Sequence, residues 1–266
     1  MKRMFRWFYS LMGLVGLAAA ASGASSGSAE AKEPITIKVG TYEYGVVYFF
    51  NDGKPVGFAP DLVAALNAVQ SAYFFELVET SSRRRYNDLE TGVFDMVLLE
   101  SPDWEWRDED VIFSDPIVTE HDLYIARRQD VSDAGWFDQI TRREILCVLG
   151  FHYGFAKFNS SPDFLRDHFN ISLLYSEEEV LDRLLAGDGE IGVVSAGFLA
   201  RKYNDNPELS EQVIIGPKPD SSYDLVSVMS RDSAIPAEEY NALIKLLHTT
   251  GNIAENWRKL HDDLSG

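Results

Sequence analysis

The stretch from Phe94 to Pro116, FDMVLLESPDWEWRDEDVIFSDP, contains the pattern that decides the fold. Met96 to Leu99 is a short apolar run, which is typical of a buried strand, and a polar turn follows it. The turn leads to Arg107, six residues before Phe113. A guanidinium can bind a carboxylate through two parallel hydrogen bonds, so Arg107 is the first candidate ligand-binding residue. An exposed arginine paired with a neighbouring carboxylate is the alternative.

Length and charge limit the classes of protein to consider. The chain has 266 residues, of which 45% are hydrophobic, and a formal net charge of −18. This length allows two modest domains with packed cores. A chain so acidic lacks the clustered Lys and Arg that neutralise phosphates, so nucleic acid is not an expected partner. No HxxxH, CxxC, EF-hand or phosphate-loop pattern occurs, and we expect neither a metal nor a cofactor.

The N-terminus has the features of an export signal. Basic residues within positions 1–6 precede an apolar core from Leu11 to Ala21, and a small-x-small site lies at 29–31. The apolar core is roughly half of the ~20 residues that a membrane-spanning helix needs, which favours cleavage over an uncleaved anchor. We therefore expect residues 1–31 to be a signal peptide and the mature protein to be a soluble periplasmic protein.

Strand and helix patterns alternate along the rest of the chain. Strands are predicted at 35–39, 74–78, 95–99, 123–126, 145–149, 191–194 and 225–229. Helices are predicted after 56–61, at 86–91, from about 153, and at 177–186, 197–203, 236–249 and 253–260. This alternation predicts βαβ units and a largely parallel, covered sheet. The only cysteine, Cys147, falls in the apolar run at 145–149 and is predicted to be a buried, inert strand residue.

Several short motifs, taken in their order and spacing, resemble the bacterial extracellular solute-binding proteins of family 3, the amino-acid type of periplasmic binding protein. The matching motifs are Gly40-Thr41, Asp52-Gly53-Lys54, Val56-Gly57-Phe58, Asp61-Leu62, Gly92 with Asp95, Arg107, Phe113 to Pro116, and Thr250 to Ile253 with Trp257. The resemblance implies an α/β, two-lobed, periplasmic-binding-protein-like fold of type II, with a ligand cleft between lobes joined by two hinge strands. It implies that 32–125 with 225–266 form lobe 1 and that 126–224 form lobe 2.

The resemblance also implies a function. Proteins of this family capture a small ligand between their lobes and present it to an ABC-type transporter. The chain is therefore expected to be a monomeric binding protein for a small polar or charged organic ligand, with a membrane permease or receptor as its partner. In the family, the arginine at the position of Arg107 grips the ligand's carboxylate.

The chain departs from the amino-acid binders at the ligand-gripping positions. Glu100 stands where they have a glycine seven residues before the arginine, and Pro102, which has no N–H, stands where a backbone donor is expected. Ser195 and Tyr42 align with positions where a carboxylate would take the ligand's ammonium. The ligand is therefore expected to be amino-acid-like rather than a standard α-amino acid.

Acidic and aromatic side chains stand in the same turns. They are Tyr42, Glu43, Tyr44 and Tyr48 after the first strand, and Glu100, Trp104 and Trp106 after the third. Rings beside carboxylates suit a flat or cationic ligand through stacking and cation–π contacts. The alternative is that Glu100 simply pairs with Arg107 while the rings fill the interface between the lobes.

Three further residues are candidates for the ligand site. Arg84 precedes a predicted helix, at a position where a subset of the family has an arginine that faces the cleft. Its neighbours Arg83 and Arg85 are expected to be solvated. Phe151 and His152 follow a lobe 2 strand at a predicted helix start, where free N–H groups can bind an anion and the imidazole can add a donor.

Two other functions stay open at this point. The altered pocket also suits an accessory or sensory protein that acts on a protein partner. Cyclohexadienyl dehydratases resemble these binders, and a buried Glu100 could serve as the general acid of such an enzyme. A single carboxylate without a partner base gives little support to the hypothesis that the chain is an enzyme.

Overall fold

The computed structural model describes residues 33–261, so the predicted signal peptide lies outside the described residues. The strands are β1 (Ile35–Thr41), β2 (Phe49–Asn51), β3 (Lys54–Val56), β4 (Tyr73–Glu79), β5 (Met96–Glu100), β6 (Val111–Phe113), β7 (Val118–Arg127), β8 (Ile145–Val148), β9 (Ile171–Leu174), β10 (Ile191–Ser195), β11 (Val213–Ile215) and β12 (Ser221–Ser230). The helices are α1 (Phe58–Val69), α2 (Arg85–Glu90), α3 (Pro162–His168), α4 (Glu177–Ala186), α5 (Ala196–Asp205), α6 (Leu209–Gln212), α7 (Ala237–Thr249) and α8 (Asn252–His261). Within residues 33–261, every helix is too short or too polar to cross a lipid bilayer.

Ten of the strands form one continuous sheet. The order along it is β4-β1-β5-β12-β7-β10-β8-β9, with β6 paired to β12 and β11 paired to β7. The outer pairs on both sides are parallel, as expected for βαβ units. In the middle, β7 and β12 run antiparallel to each other and join the two parallel parts. The predicted α/β class is therefore confirmed.

Separate apolar cores lie on the two sides of this central pair. One core is built on β1, β4 and β5 with α1 and α7, and we call this part lobe 1. Two smaller clusters lie around β8, β10 and α4, and we call that part lobe 2. The strands β7 and β12 are the two hinge strands between them. The exact lobe boundaries given above stay a prediction.

Helix α4 shows why sequence patterns located most elements well. The Ser176 hydroxyl accepts a hydrogen bond from the Glu179 N–H at its start, and Gly187 ends the helix with a φ of 89°. Serine at the N-cap and glycine just past the end are strong local signals. The helix therefore begins and ends at the predicted residues.

The helix predicted to start near Tyr153 is absent at that point. The chain forms only a short turn at Gly154–Ala156, and α3 begins at Pro162. The Asp220 carboxylate accepts hydrogen bonds from the N–H groups of Gly154 and Phe155, at 2.5 and 2.9 Å. A positive φ at the next residues, 53° at Lys157 and 62° at Phe158, then ends the turn. Asp220 thus caps the first N–H groups of the turn, and the left-handed residues Lys157 and Phe158 end it before a regular helix forms.

The single cysteine lies inside lobe 2. Cys147 is buried in β8, and burial raises the pKa of its thiol well above the ordinary value. A thiol held in its neutral form is a poor nucleophile, which agrees with the predicted structural role. Across the described residues, no three His, Cys, Asp or Glu side chains converge as a metal site.

Candidate functional site

A small cavity lies where the two lobes and the hinge strands meet, and we call it the cleft cavity. The residues that line it are Tyr42, Tyr44, Arg85, Trp104, Asp122, Gly150, Phe151, His152 and Tyr223. Most of them follow the carboxyl ends of β1, β5 and β8, where open α/β sheets bind ligands. The volume of the cavity, taken as the space that the centre of a water-sized sphere can occupy, is about 10 Å³. That is room for about one water molecule.

Arg85 forms part of one wall of the cleft cavity and belongs to a buried ion pair. Arg85 is 1% exposed, and its Nε donates to Oε2 of the buried Glu100 at 2.8 Å. Its Nη2 donates to the Tyr86 hydroxyl at 2.8 Å, and the Trp106 indole N–H donates to the same Glu100 oxygen at 2.6 Å. Because both charges are out of water, each depends on the other to remain charged.

Aromatic rings surround the Arg85 guanidinium. It lies 4.4 Å from the ring centre of Tyr86 and 5.0 Å from that of Tyr42. Burial is the largest single influence and lowers the pKa of Arg85, but the Glu100 carboxylate together with Tyr42 and Tyr86 outweighs it, so the net shift is upward. The cation is therefore held permanently charged within an aromatic cage.

The local backbone explains how Glu100 comes to face Arg85. Leu99 has a φ of 61°, and the pairing of β5 with β12 changes register between Val226 and Val228. Such an irregularity turns a strand and redirects the side chains next to it. On α2, Arg85 and Leu89 lie four residues apart, share one face and are both buried.

Two donors at the cleft cavity have no hydrogen-bond partner within the described residues. They are Nη1 of Arg85 and the indole Nε1 of Trp104. The Trp104 side chain is buried between the rings of Tyr223 and Tyr44, at 4.9 and 5.8 Å, and near His152. A buried donor without an acceptor costs roughly 1–3 kcal/mol, so these atoms are places where a bound acceptor would stabilise the protein.

The buried acid at the cleft cavity is already engaged. The two carboxylate oxygens of Asp122 accept hydrogen bonds from the hydroxyls of Tyr223 and Ser221, each at 3.0 Å. The hydroxyls of Tyr44 and Tyr223 lie 2.6 Å apart and extend this network. Burial raises the pKa of Asp122 well above its ordinary value, so a negative charge here is disfavoured.

Glu177 joins the two lobes. Its carboxylate accepts from the N–H of Gly45 in lobe 1 at 2.7 Å and from the N–H of Ser195 in lobe 2 at 2.6 Å. Gly45 has a φ of 52°, and a Cβ there would lie 2.6 Å from the Ser195 hydroxyl oxygen. Only glycine suits such a close approach between the lobes.

A second contact between the lobes involves Glu105. Its carboxylate lies 3.2 Å from the Ser160 hydroxyl and 3.5 Å from Nε2 of His152, both in lobe 2. The hydrogen bond from His152 lowers the pKa of Glu105 to about 2, while burial lowers the pKa of His152 below its ordinary value. The Glu105 carboxylate is therefore ionised beside an imidazole that burial keeps from charging, and its contacts with Ser160 and His152 link lobe 1 to lobe 2.

Residues 37–261 match the family described as bacterial extracellular solute-binding proteins, family 3. The chain belongs to this family. This confirms the resemblance found in the short motifs. Members bind small-molecule ligands and typically work with ABC transporters. No curated protein matches the chain in sequence.

Solved structures share the fold. A putative binding component of an ABC transporter from Wolinella succinogenes, complexed with lysine, has a TM-score of 0.67 at 15% identity, covering 84% of this chain and 94% of that chain. A solute receptor for L-cysteine of Neisseria gonorrhoeae has a TM-score of 0.63 at 18% identity, covering 85% and 89%. An ancestral amino acid-binding protein, described as a precursor of cyclohexadienyl dehydratase, has a TM-score of 0.65 at 19% identity, covering 85% and 95%. These likenesses support the two-lobed type II architecture.

The structure brings half of the sequence-predicted site residues together. Those that line the cleft cavity are Tyr42, Tyr44, Trp104, Phe151 and His152. Glu100 lies behind Arg85, and the Ser195 hydroxyl accepts from the Phe198 N–H at the start of α5. Glu43 lies in a separate groove with Glu178 and Arg201, and Arg84 is exposed.

The position of Arg107 corrects the main prediction for this site. Its side chain is 63% exposed, and its Nε donates to Asp103 at 2.7 Å, so it does not point into the cleft cavity. Trp106, the residue before it, is buried against the Arg85–Glu100 pair. In this turn Trp106 takes the inward position and Arg107 the outward one. Arg85, which was expected to be solvated, supplies the buried guanidinium instead.

The sequence reasoning also missed Asp122 and Tyr223 on the hinge strands. A usable signal for Arg85 was its spacing of four residues from Leu89, because a buried Leu89 places Arg85 on the inner helix face. For Asp122 the signal was alternation along β7, where residues 120, 122 and 124 are buried and 119 and 121 are exposed.

Replacing Arg107 by alanine should change the free energy of unfolding by less than about 1 kcal/mol, because the Asp103 pair is exposed and screened. Urea denaturation followed by tryptophan fluorescence measures this. A loss several times larger, or a loss of ligand binding, would mean that Arg107 reaches the interior.

Glu177 should make stability depend on pH. Burial raises its pKa from 4.5 to about 7, so between these values the folded chain holds a proton that the unfolded chain has released. Its contribution to stability is therefore fully present below pH 4.5 and is lost as the pH rises through about 7. By linkage this loss amounts to about 3 kcal/mol. The difference in unfolding free energy between the natural chain and Glu177→Gln, measured from pH 4 to 8, isolates the effect; parallel curves would contradict it.

Proposed function

We propose that this chain is a periplasmic solute-binding protein that encloses a small polar or charged organic ligand in the cleft cavity and presents it to an ABC-type transporter. One observation carries the proposal: the cavity is lined from both lobes and from both hinge strands. A ligand held there touches every part that must move on closure. Binding energy can therefore favour the closed state over the open one.

The size of the cavity determines how a ligand enters. Pockets for small organic ligands usually measure about 300–1,000 Å³. The cleft cavity holds about 10 Å³. An organic ligand therefore enters only after the lobe 2 turn that carries Gly150, Phe151 and His152 moves away from lobe 1. Hinge opening about β7 and β12 would produce this movement.

A thermal-shift screen tests the proposal. Amino acids, polyamines, quaternary amines and aromatic acids would each be added to the purified mature chain. One class should raise the melting temperature in a concentration-dependent way, because a ligand that binds only the folded state stabilises it by mass action. Small-angle X-ray scattering should show a smaller radius of gyration with that class. If no class shifts the melting temperature, the proposal is wrong.

The closed cavity also favours a second candidate, an accessory or sensory protein that acts on a protein partner. Side chains of the chain itself fill the cleft, and Glu177 and Glu105 accept hydrogen bonds from the opposite lobe. Such a protein should show no thermal shift with small molecules, and its radius of gyration should stay that of the closed form throughout the screen.

The enzyme interpretation gains less support. The Glu100 carboxylate is paired with Arg85, accepts from Trp106 and does not line the cleft cavity. A general acid must reach the atom that it protonates. Turnover of prephenate or arogenate by the purified chain would nevertheless establish this function.

A further inference from the structure

We infer that Arg85 and Trp104 form a subsite for the acceptor group of a small planar carboxylate. This inference rests on the proposed function, because it specifies the ligand class of the same cavity. The two free donors, Nη1 of Arg85 and Nε1 of Trp104, belong to side chains that line one cavity and are at least nine-tenths buried. A carboxylate offers two oxygens on one rigid plane, which suits two donors from different elements.

The polar groups around the cavity favour an anion over a cation. Both oxygens of Asp122 already accept hydrogen bonds from hydroxyls, and burial disfavours its charge. An ammonium group would meet there a carboxyl group that burial holds away from its charged form and whose oxygens each already accept one hydrogen bond. The Arg85 guanidinium, by contrast, has an unused charged donor. Its ion pair with Glu100 uses Nε alone, so an acceptor at Nη1 does not compete with that pair.

The rings around the cavity favour a flat body on the ligand. Phe151 of lobe 2 packs edge-on against Tyr42 and Tyr44 of lobe 1, at 6.4 and 5.5 Å between ring centres. When the lobes separate, Phe151 leaves, and a space bounded by Tyr42, Tyr44 and Trp104 opens beside the two donors. A planar ring of similar size would fill this space with the same edge-to-face contacts.

The test compares benzoate, benzamide and benzylamine, which share one ring and differ in charge. Isothermal titration calorimetry on the mature chain should show that benzoate binds at least about tenfold more tightly than benzamide, because the acceptor loses its charge in the amide. Benzylamine should bind more weakly still. Trp104→Phe keeps a ring and removes the indole donor, and it should weaken benzoate by about tenfold.

Two further variants are included in the benzoate-binding experiment. Arg85→Lys retains a cation beside Glu100 but removes Nη1, and it should also weaken benzoate by about tenfold or more. Trp136→Phe is the matched control, since Trp136 lies in the lobe 2 core beside Phe137 and outside the cleft cavity. It should leave the affinity for benzoate unchanged.

The outcomes separate this inference from the proposed function. If benzylamine or another amine binds and benzoate does not, the inference is wrong while the solute-binding function stands. The inference also fails if benzoate binds equally to the natural chain and to the Trp104→Phe and Arg85→Lys variants. If none of the probes and no class in the broader screen binds, both proposals fail.

Discussion

Replacing Arg85 by methionine should lower the free energy of unfolding by about 3–5 kcal/mol, because it leaves the Glu100 carboxylate buried without its charged partner. Methionine keeps most of the apolar stem of arginine, so the loss comes mainly from the missing charge and hydrogen bonds. Arg85 makes two of these bonds, to Glu100 and to Tyr86. Equilibrium unfolding in guanidinium chloride, followed by tryptophan fluorescence, measures the change.

Two control variants assign this loss to the buried pair. Adding Glu100→Gln to Arg85→Met removes the unpaired charge and keeps an acceptor for Trp106, so most of the lost stability should return. Arg107→Met changes an arginine that is exposed, and its effect should stay below about 1 kcal/mol. Equal losses for Arg85→Met and Arg107→Met, or no recovery in the double variant, would contradict the buried ion pair.

Replacing Glu177 by alanine should cost about 2–5 kcal/mol, because it leaves the N–H groups of Gly45 and Ser195 without their acceptor. The Gly45 bond joins lobe 1 to lobe 2, so its loss should also weaken closure. Unfolding in guanidinium chloride measures the first effect. The second should appear as a larger radius of gyration in small-angle X-ray scattering.

Asp182→Ala is the matched control for Glu177→Ala, because Asp182 lies on the exposed face of the same helix. Its effect should stay within about 0.5 kcal/mol. If Glu177→Ala leaves both stability and radius of gyration at the values of Asp182→Ala, then Glu177 does not join the lobes.

Local sequence signals were sufficient for most of the fold. The predicted strands at 35–39 and 191–194 and the helix at 177–186 rest on periodicity and caps, and each agrees with the structure. The predicted site residues Tyr42, Trp104 and Phe151 line the cleft cavity, and their role in ligand binding stays a prediction. They follow the ends of strands, and strand ends converge in this architecture.

The spacing of Arg85 from Leu89 places Arg85 on the inner face of α2, but this spacing alone does not show which arginine lies at the cleft cavity. Both arginines have acidic and aromatic neighbours, and a turn can present either of two adjacent residues to the interior. The packing of Trp106 against the ion pair turns Arg107 outward, and that contact depends on the tertiary fold. The family's spacing therefore pointed to Arg107, while this chain buries Arg85.

The acidic residues of hinge strand β7, Glu120 and Asp122, were not predicted as site residues for a different reason. Glu120 and Asp122 occupy the inward positions of β7, yet carboxylates at alternating positions usually mark the solvent face of a strand. Here hydroxyls from Ser221 and Tyr223 satisfy Asp122, and His261 lies 3.1 Å from Glu120. These partners are distant in sequence, so the alternation along β7 does not show that the two carboxylates can be satisfied on the buried face.

The most direct test of the proposed ligand site is a crystal structure of the purified protein with the compound that gives the largest thermal shift. We predict that this compound lies between the lobes, with an acceptor atom in hydrogen-bond contact with Nη1 of Arg85 and Nε1 of Trp104, and with Phe151 displaced. A compound bound at Arg107, or anywhere outside the cleft cavity, would show that this cavity is not the ligand site.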